Sequence, residues 1–97
     1  APRNRCAMGY ERMLDCEITD ASAVDRQLRA IEGFERYDAE YCLYFFRRVS
    51  TGKMPDLQAK IEATGIYVCD NGPGTPISEE IALRMAALGL GQRWREL

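Results

Sequence analysis

Four cysteines and no histidine constrain this chain more than any other feature of its sequence. Cys6, Cys16, Cys42 and Cys69 are separated by 9, 25 and 26 residues, with no CxxC pair. A zinc site would need all four thiolates and normally uses close pairs, so no metal or other cofactor is expected. An even cysteine count in a small domain points instead to disulfides and an oxidising compartment. The competing reading is four buried thiols in a cytoplasmic protein, since free cysteine is among the most buried residue types.

The pattern from Cys6 to Ile18 sets which bridges are geometrically possible. Cys6, Tyr10, Met13, Leu14 and Ile18 recur at three- and four-residue steps, which predicts a helix. Such a helix holds Cys6 and Cys16 about 15 Å apart, whereas a disulfide needs Cα atoms within about 7 Å. Two connectivities remain: Cys6–Cys42 with Cys16–Cys69, or Cys6–Cys69 with Cys16–Cys42.

The rest of the chain divides into short patterned segments. Thr19-Asp20 offers an N-cap, followed by Val24, Leu28 and Ile31 on one face and Gly33 as terminator. Asp38 and Glu40 precede the apolar run Tyr41–Phe46, and Arg47 and Arg48 follow it, which complements a helix dipole at both ends. Pro55 suits a first helical position, with Leu57 and Ile61 inward and Gly65 at the exit. Ile66–Cys69 reads as extended, and residues 70–74 as a loop. Thr75 or Ser78 caps a last helix whose stripe is Ile77, Ile81, Met85 and Leu88, ended by Gly89 and Gly91.

These segments predict a mainly α fold, a single-domain bundle of four to five helices over residues 1–97, stapled by disulfides, with 1–5 as a flexible tail. The alternative is α+β, with strands near 13–18, 41–46 and 66–69. A chain of 97 residues buries roughly 60–65% of its unfolded surface, so such staples would matter.

Composition bounds the function. The net charge of -2, with acids and bases mixed, argues against nucleic acid as partner. No stretch approaches the roughly 18 apolar residues of a membrane span. Ala1-Pro2 without a Met leaves open whether a signal peptide or an initiator Met was removed. Without histidine, none of the cysteines has the usual base for nucleophilic catalysis. Carboxylate pairs occur at Asp15/Glu17, Glu32/Glu35 and Glu79/Glu80, but acid–base work needs a pocket that separates their pKa values.

The segment Val68-Cys69-Asp70-Asn71-Gly72-Pro73-Gly74-Thr75-Pro76 resembles the DxGxG box of histidine-kinase-type ATPases, where an aspartate recognises the adenine amino group. Gly89-Leu90-Gly91 resembles their later glycine motif. The resemblance implies nucleotide binding by the 70–74 loop. It covers nine contiguous residues plus that fragment. The magnesium-holding asparagine of an upstream helix has no counterpart, since Asn4 is the only other asparagine.

Arg93, Trp94 and Arg95 follow the helix terminators, and Trp and Arg are enriched in binding hot spots. The expected function is a non-enzymatic module that binds another protein through these residues: an exported, periplasmic or secreted inhibitor, immunity protein or accessory subunit. The alternative is a cytoplasmic regulatory or oligomeric binding protein with reduced cysteines. A small enzyme or nucleotide binder using the 70–74 loop stands third.

Overall fold

The computed structural model describes residues 9–97 and shows a six-stranded antiparallel sheet with two helices. In chain order the elements are β1 (Tyr10–Asp15), α1 (Ala21–Arg29), β2 (Phe34–Asp38), β3 (Leu43–Phe46), β4 (Leu57–Glu62), β5 (Gly65–Asp70), α2 (Thr75–Ala87) and β6 (Arg93–Glu96). The sheet order is β2-β3-β4-β5-β1-β6. A meander of hairpins builds β2 to β5, and β1 then lies beside β5, with β6 outside it. The flexible tail expected at residues 1–5, and Cys6, lie outside the described residues.

The helical bundle is therefore incorrect, and the reason is a competition between two periodicities. In Arg12, Leu14 and Cys16 the alternate positions face one side, and pairing with β5 from Tyr10↔Asp70 to Asp15↔Gly65 uses that period of two. Within the predicted 6–18 helix, Tyr10–Asp15 form a strand. The segment at 38–48 likewise folds as a turn plus β3. Asp38 Oδ1 accepts from the Glu40 and Tyr41 backbone N–H, closing an Asx turn where a helix cap was expected. The aromatic, strand-favouring run Leu43–Phe46 then pairs on both sides. Leu57, Ala59 and Ile61 alternate along β4 where a helix starting at Pro55 was expected. The alternative reading placed strands near 13–18, 41–46 and 66–69; β1, β3 and β5 overlap those segments, and β2, β4 and β6 are additional.

Both expected helices at 21–31 and 75–88 exist. Asp20 Oδ1 accepts from the Ala23 N–H, as an N-cap should. At α2 the cap is Gly74, which has no side chain, and Thr75 and Ser78 turn their hydroxyls elsewhere.

Both helices cover one face of the sheet. Leu14, Tyr44, Phe46, Leu57, Ala59, Ile66 and Val68 meet Val24, Leu28, Ile77, Ile81 and Met85 in one buried cluster. On the opposite face Met13, Tyr67 and Cys69 form a smaller buried group with Leu97 against it. β5 is buried at every position, as a central strand under a helix should be. Gly65 opens it with φ +151°, and a Cβ there would stand 2.1 Å from the Leu14 carbonyl oxygen. Replacing Gly65 with alanine should destabilise the protein by about 3 kcal/mol through backbone displacement, read as a lower urea midpoint. An unchanged midpoint would show that the β1–β5 contact is looser than described.

Candidate functional site

The chain between β3 and β4, residues 47–56, is organised from within by two charged side chains. The first is Asp56, fully buried, whose Oδ2 accepts from the backbone N–H groups of Arg48 (2.6 Å) and Val49 (2.7 Å) and whose Oδ1 accepts from that of Ser50 (3.0 Å). The second is Arg47. Its Nη1 donates to the carbonyls of Ser50, Gly52 and Met54 at 3.3, 2.7 and 3.2 Å, and its Nη2 donates to that of Lys53 at 3.3 Å. Its Nε donates to Glu35 on β2 at 3.0 Å. One guanidinium thus satisfies the carbonyls of a loop that lacks a ladder of its own.

The electrostatics of Asp56 follow from this geometry. Burial pushes its pKa up, but the Ser50 hydroxyl and the three backbone N–H groups outweigh that and hold it down to about 2. A second loop braces the first. The Asn71 N–H donates to the Asp56 carbonyl, and Asn71 Nδ2 donates to that of Pro55 at 2.9 Å. Gly74 packs so closely here that a Cβ would lie 2.5 Å from the Asp56 carbonyl oxygen. Despite this internal order the loop presents apolar groups to solvent: Val49 is 69% exposed and Met54 50%, with Lys53 exposed beside Met54.

Asp70, the aspartate of the glycine-rich segment, serves its own loop. Its Oδ1 accepts from the Gly72 and Gly74 N–H groups at 2.8 and 2.9 Å, and its Oδ2 accepts from the Thr75 hydroxyl at 3.0 Å. These bonds shape the turn into α2 and engage both carboxylate oxygens.

Arg93, Trp94 and Arg95 lie on β6, an ordered edge strand rather than a tail. Trp94 is half-buried against the core, with the Arg12 guanidinium 3.9 Å from its ring centre. Arg95 forms a two-pronged ion pair with Asp15 at 2.8 and 3.0 Å. Sequence reasoning singled out Arg93, Trp94 and Arg95 without foreseeing their strand, and gave no role to the ordered 47–56 loop. A side chain that bonds to main-chain atoms leaves no pattern of residue types, and the one available signal was the exposed Met54 between Gly52 and Pro55.

Two of the four disulfide candidates, Cys16 and Cys42, take no part in the expected staples. Cys16 is a buried free thiol and Cys42 an exposed one, so both two-bridge connectivities, each of which needs these two cysteines, are excluded. Among the described residues no two cysteines are at bonding distance, because β1 and the β2–β3 turn hold Cys16 and Cys42 apart from each other and from β5. Cys6 lies outside the described residues.

Cys42 sits at the rim of an open groove of about 360 Å³ lined by Ala21, Ser22, Asp25, Tyr37, Tyr44 and Ile61. The Tyr44 hydroxyl donates to Asp25 at 2.5 Å, and Arg29 forks onto the same carboxylate. Burial and then Asp25 push the Tyr44 pKa up, while the Tyr44 hydroxyl and then Arg29 hold Asp25 down. Arg29 also lies over Phe34, Tyr37 and Tyr44. The charges and rings of this groove are thus paired with one another. One member of each carboxylate pair singled out in the sequence is engaged likewise: Asp15 with Arg95, Glu35 with Arg47, and Glu80 with both Arg48 and Arg84.

Among the described residues no group of three His, Cys, Asp or Glu could hold a metal ion, and no helix is long and apolar enough to cross a membrane. Comparison with protein-family models, curated proteins and solved structures finds no match to this chain.

Two outcomes follow from these geometries. Asp56 has a folded pKa of about 2 against an ordinary 3.8, so its stabilisation is complete above pH 4 and disappears as the pH falls towards 2. That contribution is at most about 2 kcal/mol. Asp56→Asn should lower stability at pH 7 by about 2–3 kcal/mol and flatten the acid limb of the stability curve. An acid limb identical to wild type would remove Asp56 from the account. Alkylation of the native protein followed by peptide mapping should modify Cys42 well before Cys16, whose thiol is buried and raised in pKa, first by burial and then by Asp15. Equal rates would contradict the burial of Cys16.

Proposed function

We propose that this chain is a non-enzymatic module that binds another protein by seating the 49–54 loop in an apolar cleft with an acidic rim. The observation that carries the reading is a loop fixed from inside by Arg47 and Asp56 while Val49 and Met54 stand in solvent. Ordering a loop before binding removes an entropy cost that association would otherwise bear. Val49 and Met54 are held exposed on one segment ordered from within, and Met54 is the adaptable kind of apolar group that fits a pocket of irregular shape. Lys53, exposed next to Met54, selects an acidic rim. An inhibitor or an immunity protein, which works by occupying a cleft, would use a projecting loop in this way.

The engagement of Asp15, Asp25, Asp56, Asp70 and Glu80 in ion pairs or main-chain hydrogen bonds supports binding over acid–base chemistry. Export was argued from two bridges, and that support goes with the free thiols at Cys16 and Cys42. The proposal holds in either compartment.

A photo-crosslinking side chain introduced in place of Met54 identifies the partner in cells, after which affinity for the purified partner is measured by calorimetry. Val49→Asp and Met54→Asp should each weaken binding by about 30-fold, the scale of a hot-spot residue, without changing the melting temperature. A crosslinked partner whose affinity is indifferent to both substitutions would overturn the proposal.

A further inference from the structure

The sheet has two edges, and they differ in their readiness to accept another strand. β2 pairs with β3 on one side only, but its register shifts between Phe34 and Arg36, a bulge that twists the edge and interrupts its outward hydrogen-bonding groups. β6 is regular. It pairs with β1 from Asp15↔Arg93 to Arg12↔Glu96, and the Leu97 N–H continues the ladder to the Glu11 carbonyl.

That last bond fixes which main-chain groups point outward. In an antiparallel ladder alternate residues bond to the neighbour, so Arg93, Arg95 and Leu97 direct their N–H and C=O groups at β1. The Cys16 N–H bond to the Thr64 carbonyl gives the same phase from the other side, since it turns the even residues of β1 to β5 and the odd ones to β6. Trp94 and Glu96 therefore present their N–H and C=O groups away from the sheet.

Side-chain charge then selects the occupant. Arg93 and Arg95 share the sheet face opposite the helices, and both lower the pKa of the single carboxylate between them, Asp15, with Arg95 the stronger. Glu11 shares this face of β1 but its carboxylate accepts from the Tyr67 hydroxyl on β5, so beside β6 the two guanidinium groups face Asp15 alone and leave that stretch of the edge positive. A second copy of this chain fits poorly. Pairing Trp94 with its own counterpart opposes Arg93 to Arg95; pairing Trp94 with Glu96 opposes Arg95 to Arg95; pairing Glu96 with its counterpart opposes two glutamates. Each of these antiparallel registers sets like charges across the new ladder, which is unfavourable.

We infer that the β6 edge receives an extended segment of a different protein, with acidic residues opposite Arg93 and Arg95 and an apolar residue between them opposite Trp94. The segment becomes a seventh strand through the main-chain groups of Trp94 and Glu96. This surface is separate from the 47–56 loop and does not depend on it, since three strand spacings lie between β6 and β4.

The test is an NMR titration of the full chain with a short blocked peptide alternating valine and glutamate, and with its valine–lysine counterpart. The glutamate peptide should give saturable shifts and slowed hydrogen exchange at the Trp94 and Glu96 amides, and the lysine peptide neither. Arg93→Glu, at an exposed position, should weaken the glutamate peptide by roughly tenfold and leave the fold's spectrum otherwise unchanged. Absence of shifts at millimolar peptide, equal binding of both peptides, or shifts confined to β2 would each overturn the inference. So would a dimer in sedimentation that protects the same two amides, because the occupant would then be a second copy.

Discussion

The Asp56 carboxylate is the interaction on which the middle of this structure depends. Removing a carboxylate from water costs several kcal/mol unless hydrogen bonds replace its hydration, and here three consecutive backbone N–H groups do so. The consequence runs in both directions along the chain. Towards the N-terminus, residues 48–50 are wound into a curl that ends β3 and lets Arg47 gather the carbonyls beyond it. Towards the C-terminus, the Asp56 N–H donates to the Phe46 carbonyl, which starts β4 in register with β3. The Asp56 carbonyl receives the Asn71 N–H, so the same residue ties the hairpin to the turn that launches α2. Gly74 is required at that junction because the two loops approach within less than a side chain's breadth.

What the sequence revealed, and what it hid, follows from which atoms do the work. Both helices were legible because their signals are local: Asp20 ahead of Val24 and Leu28, and Pro76 ahead of Ile77, Ile81 and Met85. The strands were misread where an amphipathic helix and a half-buried strand share the same letters. Tyr10, Met13 and Leu14 lie at helical spacing, yet Met13 and Leu14 are both buried because both faces of β1 are covered, one by the helical layer and one beside Tyr67. A strand apolar on both faces carries no clean alternation, so tertiary pairing decides. The arginine pair after Phe46 was read as helix-dipole charge, whereas each guanidinium caps carbonyls: Arg47 those of its own loop, and Arg48 that of Glu32. Within the candidate site, Arg93, Trp94 and Arg95 were legible as composition and illegible as geometry. Their strand exists only because β1 is there to pair with it.

The cysteines show the same division. Their number suggested two staples, but Cys16 and Cys42 are free, and both helices meet the sheet in a continuous cluster with Phe46, Leu14, Leu57 and Ile81 fully buried. Cys16 behaves as a small apolar residue at the end of β1, and Cys42 occupies the left-handed position of a turn, with φ 58°, that glycine or asparagine more often fills. Neither position brings a second thiol near.

The two proposed surfaces, the loop and the β6 edge, would use complementary modes of recognition on one scaffold. In the loop the ordering cost is met by this chain when it folds, because Arg47 and Asp56 hold the segment whether or not a partner is present. Affinity there depends on how well a cleft fits Val49 and Met54. At β6 the main-chain groups are also held ready, but the incoming segment must become extended, so the ordering cost falls on the partner. Binding at the edge therefore favours a segment already extended or of high β-propensity, and its selectivity rests on the charges of Arg93 and Arg95 rather than on shape. Trp94, packed against the core with the Arg12 guanidinium over its ring, would offer an aromatic neighbour to such a segment.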